Sequence, residues 1–254
     1  MFIIDKLAYS SKLRYKNPAV KAAFAVGSLL ICVGARSFVI SGIILMIMGG
    51  LTVLSGRISV LRYIGLLMIP FSFLALSTLA IVFNLSEQPL NLFNIPVGSV
   101  YLVVSQNSLL EGVLLVVVAL ASVSCLYFLT LSTTMIDLLA LLQRLRCPKL
   151  MVELMMLIYR YIFVLLDMAS AISTSQKCRL GNRDFMTELR SVGQLLAVLL
   201  IRSLKKSSLL YDAMESRCYD GDIRVLNEYR PAEMRDAAGV AGYLAVMLIL
   251  AVVL

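Results

Sequence analysis

Residues 150–172 read LMVELMMLIYRYIFVLLDMASAI, and the fold turns on whether they cross a membrane. By hydropathy alone the stretch could pass as a span. Glu153, Arg160 and Asp167 fall seven residues apart, which puts them on one face of a helix with apolar residues around the rest. A charge at the bilayer centre costs roughly 3 kcal/mol or more on insertion scales, so three in one lipid-facing span are strongly disfavoured. A crossing here would also carry the basic stretch that follows to the outside, against the rule that Lys and Arg stay in the cytoplasm. We therefore read 150–172 as part of a long amphipathic helix on the cytoplasmic side. The alternative is a span whose polar face lies inside the bundle. The same logic covers 189–201, whose apolar run is only 191–201 with Gln194 in it, too short to cross.

Beyond this stretch the chain as a whole is apolar. Of its 254 residues 60% are hydrophobic and 15% charged, outside the range of ordinary soluble proteins. Towards the N-terminus, runs at about 19–34, 38–55, 64–83 and 109–130 each suit a membrane helix, and 236–254 supplies a fifth. Pro18 suits the first turn of the first span, and Lys21 inside it can snorkel to the interface. Pro70 would kink the third. Gly27, Gly34, Gly42, Gly49 and Gly50 would allow close helix packing. The connection 84–108 is long, and its part from Val97 to Val104 is β-branched enough to fold back onto the membrane surface.

Loop charge sets the orientation. Fifteen of the 23 Lys and Arg residues lie in 131–235, and others sit in the N-terminal arm and in the 56–63 loop with Arg57 and Arg62. The 84–108 connection has none. The N-terminus is thus expected inside and the C-terminus outside, with Arg36 the one exception. The first twenty residues are polar and basic, which predicts no cleavable signal peptide. The fold class expected is all-α: a polytopic membrane protein of about five spans. Its membrane domain comprises 1–130 and 236–254, and a cytoplasmic module of long amphipathic helices occupies 131–235. Within that module, helices are expected at roughly 132–145, bounded by Pro148, at 149–179 and at 185–218.

Several chemistries are excluded. Histidine is absent, which removes the commonest general base and the commonest ligand for transition metals. The five cysteines, Cys32, Cys125, Cys147, Cys178 and Cys218, form no C-x-x-C pair, so neither a disulfide framework nor a zinc site is expected. No P-loop and no G-x-S-x-G occur. Asp212, Glu215, Asp220 and Asp222 form an acidic cluster, but Asp220-Gly221-Asp222 resembles a turn more than a calcium loop. No catalytic residue, no metal site and no cofactor is expected in this chain. The net charge of +8 is explained by the membrane rather than by nucleic acid.

Two polar clusters remain, Ser175-Gln176-Lys177-Cys178-Arg179-Leu180-Gly181 and Ala213-Met214-Glu215-Ser216-Arg217-Cys218-Tyr219-Asp220-Gly221. Each sets an arginine near the end of a helix-compatible run, with a glycine two to four residues later. Glycine is the usual residue just past a helix end, and a cation in the last turn complements the helix dipole. Each arginine is therefore expected at an exposed helix tip. One such tip is an ordinary capped surface helix; the repeated layout suggests more.

On these residues the chain resembles the transmembrane T component of energy-coupling factor (ECF) transporters, of the cobalt-transport CbiQ type. That family carries two Ala-Arg-Gly-like motifs, the second usually within Ala-Met-x-x-Arg-Gly. Residues 213–218 match the second, with Cys218 where Gly is usual. Cys178-Arg179-Leu180 matches the first more loosely. Asp5 to Tyr9, Asn17 to Lys21, and Pro148 to Glu153 running on into Leu157 to Tyr161 also look like the family. The resemblance implies two ABC-type ATPase partners, each receiving one of Arg179 and Arg217. Cys178, Leu180, Met214, Glu215, Ser216 and Cys218 would flank the contacts. It also implies a cobalt-selective substrate-binding membrane subunit, which would choose the ion. Related T components serve nickel and vitamin systems. A membrane-embedded enzyme acting on a lipid would need acidic or nucleophilic residues at a membrane face, where only Glu111 stands. A self-contained carrier would need ionisable groups at midplane.

Overall fold

The computed structural model describes residues 7–9, 11–56, 58–82, 84–86, 93–97, 100–104, 106–221, 223 and 233–253. Among the residues singled out above, Asp5, Lys6, Arg57, Asp222 and Leu254 lie outside them. The chain forms two compact units, one of Phe2–Leu138 with Tyr229–Leu254 and one of Leu139–Glu228.

The first unit begins with a 3₁₀ turn at Lys12–Tyr15 and then α1 (Pro18–Ala35), α2 (Phe38–Leu54) and α3 (Val60–Val82). Asn17 caps α1, its Oδ1 accepting from the Ala19 N–H at 2.9 Å, and Pro18 takes the first helical position, where a missing N–H costs nothing. Arg36, in the left-handed region at φ 44°, turns the chain between α1 and α2. α3 starts earlier than hydropathy suggests, so Arg62 lies in its first turn rather than in the loop, and the helix runs on through Pro70. The connection to α4 (Gln106–Ser132) contains a small antiparallel sheet of β1 (Asn84–Ser86), β2 (Phe93–Val97) and β3 (Val100–Val104), in the order β1–β3–β2. The β-branched run before α4 is thus a paired strand set into an otherwise helical protein. α8 (Met234–Val253) closes the unit.

Pro18–Ala35, Val60–Leu79, Ser108–Ser132 and Met234–Val253 are long and apolar enough to cross a membrane, and Phe38–Leu54 is a shorter apolar helix of 17 residues. The core forms where helical spacing repeats an apolar or small residue: Phe24, Ala25 and Cys32 on α1, Ile40, Ile44 and Met48 on α2, Ala121, Cys125 and Phe128 on α4, and Met247 on α8. α4 packs against α1, α2 and α3. Small residues let those backbones approach, and one buried hydroxyl pair bridges α3 and α4: Tyr63 Oη and Ser124 Oγ lie 2.7 Å apart. The glycines divide unequally. A Cβ on Gly27 would stand 2.8 Å from Leu244 Cδ2, so this residue sets the α1–α8 approach, and Gly49 meets Tyr63 at 3.4 Å. Gly34, Gly42 and Gly50 have nothing within 4 Å, so close packing does not account for them.

Lys21 departs from expectation in a more telling way. Only 4% exposed, it does not snorkel outward. Its Nζ donates to the carbonyls of Leu13 (3.1 Å) and Ser132 (2.7 Å). Ser132 is the last residue of α4, where carbonyls lack intrahelical partners and the dipole is negative, so the ammonium caps α4.

The second unit is built on α6 (Lys149–Cys178) and α7 (Phe185–Glu215). α5 (Met135–Arg144) precedes them and begins three residues later than expected, because α4 runs on to Ser132. Thr134 caps α5, accepting from the Asp137 N–H and donating to its Oδ2 at 2.8 Å.

Candidate functional site: two arginine-bearing helix ends

α6 ends at Cys178 and α7 at Glu215, so both arginines fall at the helix ends where the sequence put them. The two ends close in the same way. After α6, the Leu180 N–H donates to the Lys177 carbonyl (3.1 Å) and the Gly181 N–H to the Gln176 carbonyl (2.8 Å). After α7, the Cys218 N–H donates to the Glu215 carbonyl (2.9 Å) and the Tyr219 N–H to the Met214 carbonyl (3.1 Å). These are the paired bonds of a Schellman motif, which satisfies carbonyls the helix leaves open. In both, the arginine is the residue just before the left-handed one, and its side chain is exposed. Neither Arg179 nor Arg217 makes an ion pair among the described residues.

The left-handed positions correct the sequence reading. They are held by Leu180 (φ 60°) and Cys218 (φ 59°), not by the glycines that follow. A side chain there costs about 1–2 kcal/mol relative to the right-handed conformation. Gly181 serves close approach instead. A Cβ on it would lie 2.8 Å from the Gln176 carbonyl oxygen and 2.9 Å from Ser191 Oγ. Gly221 does have a positive φ, 89°, but lies beyond the closure of α7.

Around the first arginine the hairpin is stapled by side chains. Gln176 Nε2 donates to the Ser191 carbonyl (2.9 Å), and Ser191 Oγ donates to the Gly181 carbonyl (2.7 Å). The Arg183–Asp184 pair beside it, 4.0 Å apart and mostly exposed, adds little. Around the second arginine the anchor is Glu153, only 6% exposed. Its Oε2 accepts from Tyr219 Oη (3.0 Å) and its Oε1 from the Ile223 N–H (3.2 Å). Glu153 therefore does not share a solvated face with Arg160 and Asp167, which are exposed. It holds the chain just after Arg217 against the start of α6.

These ties fix the relation of the two tips. Arg179 follows the C-terminal end of α6, while Arg217 lies two residues from the tyrosine held at Glu153 near its N-terminal end. The 25 residues from Glu153 to Cys178 span about 38 Å at the helical rise. The structure therefore does not bring the arginines together; it holds them at opposite ends of an antiparallel hairpin. Of the flanking residues, Cys178 and Cys218 are exposed free thiols. Ser216 Oγ donates to the Ala213 carbonyl (3.0 Å), Met214 is half-buried, and Glu215 is exposed. Sequence reasoning missed Glu153, Ser191 and Tyr219 as parts of this arrangement. Glu153 was marked by its heptad position and Tyr219 by its place in the second polar cluster, but nothing in the sequence paired them, and nothing marked Ser191.

A sequence model of CbiQ, described as cobalt transport protein, matches residues 9–229. The chain is 36% identical to an uncharacterized protein of Methanocaldococcus jannaschii over 88% of its own length and 83% of that protein's. It is 27% identical to the cobalt transport protein CbiQ of Salmonella typhimurium, over 87% of this chain and 99% of the other. It is 32% identical to the putative fused cobalt transport protein CbiMQ of Methanocorpusculum labreanum, matching 86% of this chain and 37% of the fusion.

Proposed function

The chain belongs to the CbiQ cobalt transport protein family, the transmembrane T components of ECF transporters, and on that premise we propose that it transmits the motion of two ATPase subunits to a substrate-binding membrane subunit. It is a multi-pass membrane component of a transport system, not an enzyme. The observation that carries the coupling reading is the pair of exposed arginines held at opposite ends of one tied hairpin. A guanidinium at a rigid tip makes bidentate bonds to a carboxylate, a directional contact that resists sliding. Tips set near opposite ends of a helix about 38 Å long address two separate subunits rather than one groove. ATP-driven closure of those subunits would displace the tips. α6 and α7 would carry the displacement to the membrane spans and so tilt or release the substrate-binding partner.

The name of the fused relative supports a substrate-binding partner of the CbiM kind. The relatives' names support cobalt as the ion. The absence of histidine supports selection of the ion by another subunit, with no metal or cofactor held by this chain. The archaeal and bacterial relatives support the plasma membrane of a prokaryote, and loop charge supports an orientation with the N-terminus in the cytoplasm, the C-terminus outside and α6 and α7 on the cytoplasmic side. The test is a tagged pull-down from solubilised membranes, with partners identified by mass spectrometry. Wild type is expected to bring down an ABC-type ATPase and a small membrane protein. Arg179→Glu with Arg217→Glu is expected to lose the ATPase and keep the membrane protein. Full retention of the ATPase by that variant refutes the coupling role.

A further inference from the structure

A cavity of about 880 Å³ opens within the membrane-spanning unit where the 3₁₀ turn, the start of α1, the end of α2 and the start of α8 meet. Its lining divides by chemistry. Lys12, Lys16 and Arg235 stand at the rim, while Phe24, Leu51 and Val240 are among the apolar groups deeper in. Lys21 also lines it, with its ammonium buried on the carbonyls of Leu13 and Ser132. Among the described lining residues one carboxylate stands against these four cations, Asp236, already paired with Lys16 at 2.9 Å. Lys12 and Arg235 make no ion pair among the described residues. The charged end lies at the starts of α1 and α8, both long and apolar enough to cross a membrane, so it is expected at the level of lipid headgroups.

We propose that this cavity binds an anionic phospholipid of the surrounding leaflet, its phosphate between Lys12 and Arg235 and an acyl chain along Leu51 and Val240. A soluble anion would leave the apolar wall unused. A zwitterionic lipid would leave the excess positive charge uncompensated, whereas basic pockets between membrane helices select acidic headgroups. The bound lipid would tie the ends of α1, α2 and α8 together beside the 3₁₀ turn.

The chain contains no tryptophan, so Leu54→Trp, at an exposed position on the rim, places a single fluorophore at the cavity. The protein is reconstituted in phosphatidylcholine vesicles holding a minor fraction of phosphatidylglycerol or phosphatidylcholine with brominated chains. Brominated phosphatidylglycerol is expected to quench more strongly than brominated phosphatidylcholine at equal fraction. Lys12→Gln with Arg235→Gln, both exposed and therefore neutral to folding, is expected to weaken that preference roughly fivefold per charge. Quenching by brominated phosphatidylcholine reports that the variant remains inserted. Equal quenching by both lipids overturns the proposal, as does a preference that survives in the double variant. Relief of the preference by soluble glycerol phosphate overturns it in favour of a free anion.

Discussion

Gly181→Ala is the sharpest perturbation of the α6–α7 hairpin. The added Cβ would lie 2.8 Å from the Gln176 carbonyl oxygen and 2.9 Å from Ser191 Oγ, where an ordinary contact begins near 3.4 Å. The carbonyl is backbone and accepts the 2.8 Å bond that closes α6, so it cannot retreat without breaking that closure. The hydroxyl can rotate away, but only by giving up its 2.7 Å bond to the Gly181 carbonyl. Losing one or two hydrogen bonds at about 0.5–1.5 kcal/mol each, with some overpacking strain, gives about 2 kcal/mol of local destabilisation. That is roughly a 30-fold rise in local opening. Leu180→Gly, one residue earlier, should act the other way. It removes the left-handed penalty of about 1–2 kcal/mol while giving up little burial, since Leu180 is 67% exposed. Hydrogen exchange read by mass spectrometry on the full chain in detergent, following peptides across 170–195, separates the two. Exchange should be about 30-fold faster in Gly181→Ala and slower than wild type in Leu180→Gly. If Gly181→Ala exchanges like wild type, or Leu180→Gly exchanges faster, the assignment of the two roles is wrong.

Glu153→Ala is expected to loosen peptides across 212–221 by about 2–4 kcal/mol, since two bonds to one buried carboxylate are lost, and Tyr219→Phe by about half as much. The reverse order in hydrogen exchange would show that Glu153 does not anchor the Arg217 end. In the folded protein a maleimide should label Cys178 and Cys218 rapidly and leave the buried Cys32 and Cys125 unlabelled until denaturant is added, as peptide mapping would show. Gly27→Val should lower the thermal midpoint in detergent through about 1–3 kcal/mol of overpacking against Leu244, while Gly34→Val, with open space around it, should shift the midpoint far less.

The spans, the helical class and the position of each arginine at a helix end were legible in the sequence because each rests on local information. Apolar run length marks a crossing, and the loss of helical periodicity before a glycine marks an end. The site's internal logic was not legible. The sequence rule read Gly181 and Gly221 as the residues that follow the helix ends, whereas the left-handed residues that close those ends are Leu180 and Cys218, and Gly181 answers to Ser191 on the next helix. Glu153 read as one of three charges sharing a helix face, yet it alone is buried, under a tyrosine 66 residues away. Lys21 read as a snorkelling cation, yet it caps a helix end 111 residues away. Hydropathy and periodicity are sums over neighbours in the chain, so by itself the sequence determined which segments are helices and which are apolar enough to enter a membrane. Which glycine must stay small, which charge is buried and how far apart the arginines stand depend on partners distant in sequence. Only the packing of one helix against another decided them.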